Sequence, residues 1–247
     1  MSIAFATIQS LEIAAWPDLD HTIRGDWRLR YARGFSGRAN SATALKEGAT
    51  LYDADIDAIE DFYAARRLPS LIRLTPFADA SLDSRLAERG YAAKSASEYR
   101  FISLKGPRAF ESGLIHADTP SRAWIADFGR LNGRVDFDAD TMADILNQIE
   151  ARATYASIIE DGRRLAIGMV VLRDGLMEVQ SIAVDANERK RGLGRRIVSG
   201  LLAWGCTHGA NAALLSVEAT NAPAIHLYTS LGFEKRAGYH YRVKALT

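Results

Sequence analysis

Apolar residues recur along the chain at two spacings, every third or fourth position and every second position, and these predict helices and strands respectively. In the first half they predict a helix from residue 1 to about residue 20, ending near Pro17. Strands are then predicted at 27–31, 71–74 and 99–104, with helices at 53–66 and 81–89.

The second half begins with two predicted helices and continues with three successive strands. The helices are expected at 120–131 and 138–152, and the strands at 156–159, 166–172 and 177–184. Asp-Gly pairs at 161–162 and 174–175 separate these strands, and such pairs are typical of tight β-hairpins. A helix running to residue 208, a strand at 213–217, a helix between 220 and 232 and a strand at 239–243 complete an α/β pattern.

A basic, glycine-rich loop lies between the strand that ends at Val184 and the helix that follows. Its residues are Arg189, Lys190, Arg191, Gly192, Leu193, Gly194 and Arg195. The first amides of a helix have no intrahelical acceptor, and glycine lets the backbone approach a ligand closely. The loop therefore favours a phosphate or pyrophosphate site. The alternative is a surface turn with a solvated run of charge, whereas no dinucleotide fingerprint or Walker A motif matches.

Composition narrows the partners without identifying them. The 247 residues carry a net charge of +1, which predicts no nucleic-acid and no membrane partner, so any anion site must be local. The first residues lack a basic signal region and no apolar run could span a bilayer, so we expect a soluble, cytoplasmic protein. Cys206 is the only cysteine, and the five histidines show no ligand spacing, so we predict no metal.

The sequence also repeats a pattern at an offset of 142 residues. Residues 69–91 align without gaps onto residues 211–233, although identity is low and chance is an alternative. The same offset places Thr50 and Tyr52 where the second half has Gly192 and Gly194. The first half thus has the pattern of a copy that lacks the phosphate loop.

Three motifs in the second half, in this order, resemble the GNAT (general N-acetyltransferase) superfamily. They are the strand Ile182-Ala183-Val184, the loop Arg189-x-x-Gly192-x-Gly194, and the segment from Asn221 through Tyr228 to Phe233. The resemblance implies tandem GNAT-like halves, each a mixed, mostly antiparallel twisted sheet flanked by helices. Residues 1–112 would form a degenerate half and residues 113–247 the acetyltransferase domain.

The resemblance also implies where acetyl-CoA would bind. The backbone of Ile182, Ala183 and Val184 would pair with the pantetheine arm and the acetyl carbonyl. The side chains of Arg189 and Arg191, together with backbone amides of the loop, would hold the pyrophosphate. The loop comprises Arg189, Lys190, Arg191, Gly192, Leu193, Gly194 and Arg195. Asn221 matches a position that contacts pantetheine, and it could equally be a helix cap, or both.

Two residues are candidates for catalysis. Strand alternation predicts that Glu178 shares a face with Gln180, Ile182 and Val184, and Glu178 matches the general-base position of the histone-acetylating branch. One alternative is that Glu178 is a solvated strand residue and not a base. The other is that Glu218 is the base. Tyr228 matches the tyrosine that protonates the departing thiolate, and its alternative is a core tyrosine packed on Leu231.

These observations predict an acetyl-CoA-dependent N-acetyltransferase that acts on a primary amine, small or peptide-borne, by direct attack. The alternative is a non-catalytic acyl-CoA-binding sensor or interaction module. A nucleic-acid binder that uses Arg189 to Arg196 is disfavoured by the neutral net charge. The sequence does not reveal the acceptor or the oligomeric state, but residues 129–138 occupy the place where the superfamily usually shapes its acceptor pocket.

Overall fold

The structure, a computed structural model, describes residues 4–106, 108 and 111–246. Within these ranges it contains seven α-helices and eleven strands. The helices are α1 (Phe5–Ala15), α2 (Asp53–Ala64), α3 (Leu82–Glu88), α4 (Arg122–Leu131), α5 (Ala139–Asn147), α6 (Leu193–Thr207) and α7 (Ala222–Ser230). The start of the first predicted helix, residues 1–3, lies outside the described residues.

Most of the predicted strands are longer than the sequence pattern indicates. They are β1 (Asp20–Arg24), β2 (Trp27–Tyr31), β3 (Ala42–Ala44), β4 (Ser70–Leu74), β5 (Ala92–Ser103), β6 (Leu114–Ala117), β7 (Arg152–Glu160), β8 (Arg163–Arg173), β9 (Leu176–Val184), β10 (Ala212–Glu218) and β11 (Glu234–Lys244). The two predicted hairpin turns are confirmed. Asp161 and Gly162 have φ values of 49° and 73°, and Asp174 and Gly175 have 51° and 76°, so both residues of each turn are left-handed.

All the strands belong to one sheet, in the order β1-β2-β3-β4-β11-β5-β10-β9-β8-β7-β6. Only the pairs β3–β4 and β9–β10 are parallel, which confirms an α/β fold with a mixed, mostly antiparallel sheet. The expectation of a separate sheet in each half is wrong. The last strand of each half is inserted among the strands of the other half. β5 pairs with β10 and β11, and β11 pairs with β4 and β5, which joins the two halves into one sheet.

The structure repeats at the same offset of 142 residues as the sequence. When 142 is added to their residue numbers, elements of the first half coincide with elements of the second. The equivalent pairs are α2 and α6, β4 and β10, α3 and α7, and β5 and β11, and only β5 extends beyond its counterpart, by one residue. The pairing follows the same rule. Leu214 of β10 lies opposite Phe101 of β5. The offset therefore predicts that the equivalent residues, Ile72 of β4 and Val243 of β11, lie opposite each other. In the structure the residue opposite Ile72 is Arg242, the neighbour of Val243. The repeat is thus a pseudo-twofold arrangement about the β5–β11 pair, which disfavours a chance match.

Helices cover both faces of the sheet. One face packs against α1, α4 and α5 in a single hydrophobic cluster that includes Trp16, Tyr99 and Tyr239. The other face carries two clusters, one beneath α6 and α7 and one beneath α2 and α3. In residues 4–106, 108 and 111–246 no helix is both long and apolar enough to cross a bilayer.

Candidate active site

A β-bulge interrupts β9 at Ser181 and sets the direction of the side chains around it. Ser181 has a φ of 57°, and the pairing of β8 with β9 slips by one residue between Met169–Gln180 and Ile167–Ala183. An extra residue in one strand inverts the alternation beyond it. The prediction that Glu178, Gln180, Ile182 and Val184 share one face is therefore wrong.

The two faces of β9 serve different partners as a result. Gln180 donates to the carbonyl oxygen of Ala15 at the end of α1, at 2.6 Å, so Gln180 lies on the α1 side. Ile182 packs on the opposite face, where it fills the space over Gly168 together with Ile197 of α6.

A gap opens between β9 and β10 towards their carboxyl ends. The two strands pair only where residues 176–178 face residues 212–214, although β9 continues to Val184 and β10 to Glu218. Along this gap the backbone of Ile182, Ala183 and Val184 is left without a β10 partner in the part of the chain that the structure describes. An unpaired strand edge can bind an extended ligand arm through main-chain hydrogen bonds.

The glycine-rich loop is separated from the end of β9 by Asp185 and a short 3-10 turn, Ala186–Glu188. Lys190 and Gly192 have φ values of 67° and 74°, and α6 begins at Leu193, which is buried. Arg196 is the first helix residue whose amide reaches a backbone acceptor, the Gly192 carbonyl at 3.0 Å. The amides of Leu193, Gly194 and Arg195 therefore remain available at the positive end of the helix dipole.

Glycine is favoured at the two positions of the loop for different structural reasons. A Cβ atom on Gly192 would meet open space, so glycine is favoured there by the left-handed backbone. A Cβ atom on Gly194 would lie 3.3 Å from Leu227 of α7 and 3.7 Å from Val184, so the second glycine allows β9, α6 and α7 to approach one another.

The basic side chains of the loop divide into two groups. Arg191 forms ion pairs with Glu188 at 2.6 Å and Glu160 at 2.8 Å, and Arg195 donates to Ser230 of α7 at 2.7 Å. Arg189 and Lys190 are exposed, and within the described residues their side chains form no ion pair or hydrogen bond. Arg191 and Arg195 thus stabilise the loop, whereas Arg189 and Lys190 remain free to bind an anion.

Tyr228 and Asn221 both lie on α7. The ring of Tyr228 packs edge-on against Phe233 with the ring centroids 5.9 Å apart, and its hydroxyl makes no hydrogen bond to any described residue. Burial raises the pKa of Tyr228 to about 12, so the phenol holds its proton at neutral pH. Asn221 caps α7 by accepting from the Ala224 amide at 3.2 Å, which confirms the cap, while its contact with pantetheine stays a prediction.

Glu178 is entirely buried, so the alternative of a solvated strand residue is wrong. Its Oε1 forms an ion pair with Nη1 of Arg38 at 2.8 Å, while its Oε2 is buried and has no partner within the described residues. Burial raises the pKa of Glu178 to about 7, with Arg38 opposing the shift and Glu12 adding to it. The same Arg38 donates from Nη2 to Gln180 at 2.8 Å and stacks 5.0 Å from the ring of Trp16.

Arg38 is the residue of this site that sequence reasoning missed. It lies in the loop between β2 and β3 of the first half, 140 residues from Glu178, and no local pattern connects the two. The only signal was an arginine within a Gly/Ser-rich loop.

A cavity of about 480 Å³ opens beside this ion pair. Its walls come from both halves and include Arg38, Lys94, Glu218, Tyr239 and Tyr241. Residues 129–138, predicted to shape an acceptor pocket, do not line it. They pack on the β2–β3 loop instead, with the ring of Phe137 5.8 Å from that of Phe35. No group of three or more His, Cys, Asp or Glu side chains among the described residues is arranged to hold a metal ion.

The bulged β9, the gap beside β10 and the left-handed glycine loop that opens α6 together define the class of the protein, a GNAT N-acetyltransferase. Residues 5–242 match the family model described as "Probable histone acetyltransferase Rv0428c C-terminal", and the chain belongs to this family within the GNAT superfamily.

Relatives carry the same class of name. The chain is 26% identical over 245 residues to "Uncharacterized N-acetyltransferase YobR" of Bacillus subtilis, covering 96% of this chain and 97% of that protein. It is 29% identical over 211 residues to a mycothiol acetyltransferase of Tsukamurella paurometabola, covering 81% and 70%. A GCN5-related N-acetyltransferase from Kribbella flavida has the same fold, with a TM-score of 0.71, 20% identity and coverage of 99% and 96%.

Proposed function

We propose that this chain transfers an acetyl group from acetyl-CoA to a primary amine by direct attack, without a covalent enzyme intermediate. The observation that carries the proposal is the placement of two features at one end of β9. The β9–β10 gap exposes the backbone of residues 182–184, and the free amides of α6 follow within eleven residues. Acetyl-CoA would supply the thioester and the pyrophosphate that such a pair of sites fits.

The binding roles follow from the geometry of the loop. The amides of Leu193, Gly194 and Arg195 would hold the pyrophosphate, and the free side chains of Arg189 and Lys190 would add positive charge. Arg191 would contribute its guanidinium only by leaving Glu188 and Glu160. Ile182, Ala183 and Val184 would pair with the pantetheine arm, and Asn221 would lie beside it.

The chemistry requires the movement of two protons. An alkylammonium has a pKa of about 10, so it must lose a proton before its nitrogen can attack. Backbone N–H groups near Val184 would stabilise the developing charge on the thioester oxygen. Tyr228, which holds its proton at neutral pH, would donate it to the departing thiolate.

The base is open between two carboxylates. Glu178 has a pKa of about 7, which suits proton transfer near neutral pH, but it is ion-paired with Arg38 and closed to solvent. It could accept a proton from the amine only if the amine reaches its buried Oε2, which has no partner among the described residues. Glu218, its rival, is exposed and lines the cavity.

The same ion pair favours a second candidate function, a non-catalytic acyl-CoA-binding module in which Glu178 is purely structural. Amine-dependent release of free CoA thiol, measured over a panel of small amines and peptide N termini, separates the two. Binding of acetyl-CoA in calorimetry, with thiol release no faster with amines than without them, would favour the non-catalytic module.

A further inference from the structure

The 480 Å³ cavity has a direct geometric relation to the candidate site. Leu214 of β10 lies opposite Glu178 of β9 in the parallel pairing. Strand alternation then puts Ser216 and Glu218 on the same face as Glu178, along the side of the gap formed by β10. Both residues line the cavity, as does Arg38. A ligand in the cavity would therefore lie on the Glu178 face and border the gap.

Two opposite charges in the cavity wall have no partner among the described residues. Glu218 and Lys94 form no ion pair or hydrogen bond through their side chains with any described residue, whereas the charge of Arg38 is matched by Glu178. The hydroxyl of Ser216 is also buried there and has no partner among residues 4–106, 108 and 111–246.

The two charges lie at different distances from the gap. Glu218 is on β10 itself and pairs with Ser97 of β5. Lys94 precedes Ser97 by three residues on β5, but a bulge at Ser95 makes these residues span the same length as the two-residue step from Tyr239 to Tyr241, about 7 Å along a strand. It pairs with Tyr241 of β11, on the far side of β5 from the gap. Between the part of the cavity at Glu218 and the part at Lys94, the wall is apolar and is formed by Tyr239, Tyr241 and Leu71.

We propose that the acceptor is a small amine that also carries a carboxylate, with Glu218 binding its ammonium group beside the gap and Lys94 binding its anion farther away. This proposal rests on the proposed function, because it assigns the acceptor of that same site. It also gives the first half a role in the reaction, since Lys94 and Leu71 come from that half.

The test compares amines that differ only in the anion. Initial rates of thiol release are measured for 4-aminobutyrate against butylamine and for 6-aminohexanoate against hexylamine. A charge-assisted contact predicts that the carboxylated amine of the better pair has a kcat/KM at least roughly tenfold higher. Lys94→Met should reduce this ratio towards one, and Lys94→Glu should shift the preference to the corresponding diamine. Lys105→Met, a change at an exposed lysine that does not line the cavity, should leave the ratio unchanged.

A binding measurement keeps the proposal testable apart from catalysis. Calorimetry with the full chain and desulfo-CoA should show tighter binding of the carboxylated amine, with the advantage lost in Lys94→Met. Equal rates and equal binding for the members of both pairs would overturn the inference while leaving the acetyltransferase proposal intact. An advantage that survives Lys94→Met would also overturn it. Lys94-dependent binding without amine-dependent thiol release would support a carboxylated amine as the ligand of the cavity, but it would refute the proposed catalysis and with it the role of this amine as acceptor.

Discussion

Among single residues, Glu178 has the least ordinary environment in the candidate site. A carboxylate removed from water is costly unless it is paired and fully hydrogen-bonded. Arg38 pairs with one oxygen, while the other has no partner within the described residues. The folded protein therefore binds a proton at Glu178 more tightly than the unfolded chain does, and its pKa rises from 4.5 to about 7.

This raised pKa predicts a pH-dependent stability. The stabilising preference for protonated Glu178 is fully present below about pH 4.5 and is lost as the pH rises through about 7. Glu178→Gln removes the titration, so the unfolding free energy of the wild type minus that of the variant should fall between about pH 5 and about pH 8. Urea denaturation across this range measures it. Glu47→Gln, at an exposed glutamate, is measured alongside as the control for removing a carboxylate, and a constant difference for Glu178→Gln would contradict the assignment.

Tyr228→Phe tests the proposed acid. The change removes only a hydroxyl that has no hydrogen-bond partner among the described residues, so the packing on Phe233 should persist. If the phenol protonates the thiolate, kcat should fall on the order of 10²-fold while the affinity for acetyl-CoA barely changes. Tyr52→Phe, at a tyrosine that is 70% exposed on the other half, is the matched control. Full activity in Tyr228→Phe would make Tyr228 a core residue.

At the scale of elements, the ends of two equivalent helices explain why one half is proposed to bind CoA. The start of α6 carries Arg189 and Lys190 and leaves three amides free. The start of α2 carries Asp53 and Asp55, and Asp55 accepts from the Tyr52 amide at 3.1 Å. A carboxylate at a helix N-terminus satisfies the dipole and repels a second anion.

Gly192→Ala should separate the shape of the loop from the stability of the fold. Alanine in the left-handed region costs about 1–2 kcal/mol, and relief of that strain would turn the helix amides away from the pyrophosphate. Binding of acetyl-CoA should weaken roughly tenfold or more, as each charge-assisted contact is lost. Gly209→Ala is the matched control, since Gly209 has a φ of 89° and equally open surroundings at the other end of α6. Equal affinities of the two variants for acetyl-CoA in calorimetry would indicate that the loop is only a surface turn.

The sequence predicted elements better than it predicted their junctions. Every helix and both hairpins were expected, because apolar periodicity and Asp-Gly pairs are local signals. Three short strands, β1, β3 and β6, were missed, because β1 is exposed at every position and β3 has only three residues. The bulge at Ser181 could not be predicted because it contains no glycine. The Arg38–Glu178 contact could not be predicted because it joins residues 140 positions apart.

For the whole molecule, the single sheet makes the two halves structurally inseparable. β11 pairs with β4 and β5 of the first half, and β5 pairs with β10 of the second. We propose that residues 1–112 and 113–247 are nevertheless tandem copies, supported by the 142-residue offset. Of the segment that links them, Pro107, Ala109 and Phe110 lie outside the described residues.

The two copies should differ in their capacity for acetyl-CoA, and the stoichiometry of binding tests this difference. Beyond β3 and β4 of the first half, Ala49 and Ala78 form a parallel bridge. The Ala49 amide donates to the Phe77 carbonyl at 3.1 Å, and the Asp79 amide donates to the Ala49 carbonyl at 2.9 Å. This bridge holds together the chain segments whose counterparts in the second half border the β9–β10 gap. With the acidic start of α2 in addition, we expect the described part of the first half to have no counterpart of the β9–β10 gap or of the proposed anion site on α6.

Calorimetry of the full chain with acetyl-CoA should therefore give a stoichiometry near one. Gly192→Ala should lower the affinity of that single site, whereas Asp53→Asn, which alters the equivalent helix start in the first half, should leave both affinity and stoichiometry unchanged. The reason is that the amides proposed to bind phosphate lie on α6, while those at the start of α2 are opposed by Asp53 and Asp55. A stoichiometry near two, or a loss of affinity in Asp53→Asn comparable to that in Gly192→Ala, would show that the first half has kept a site of its own.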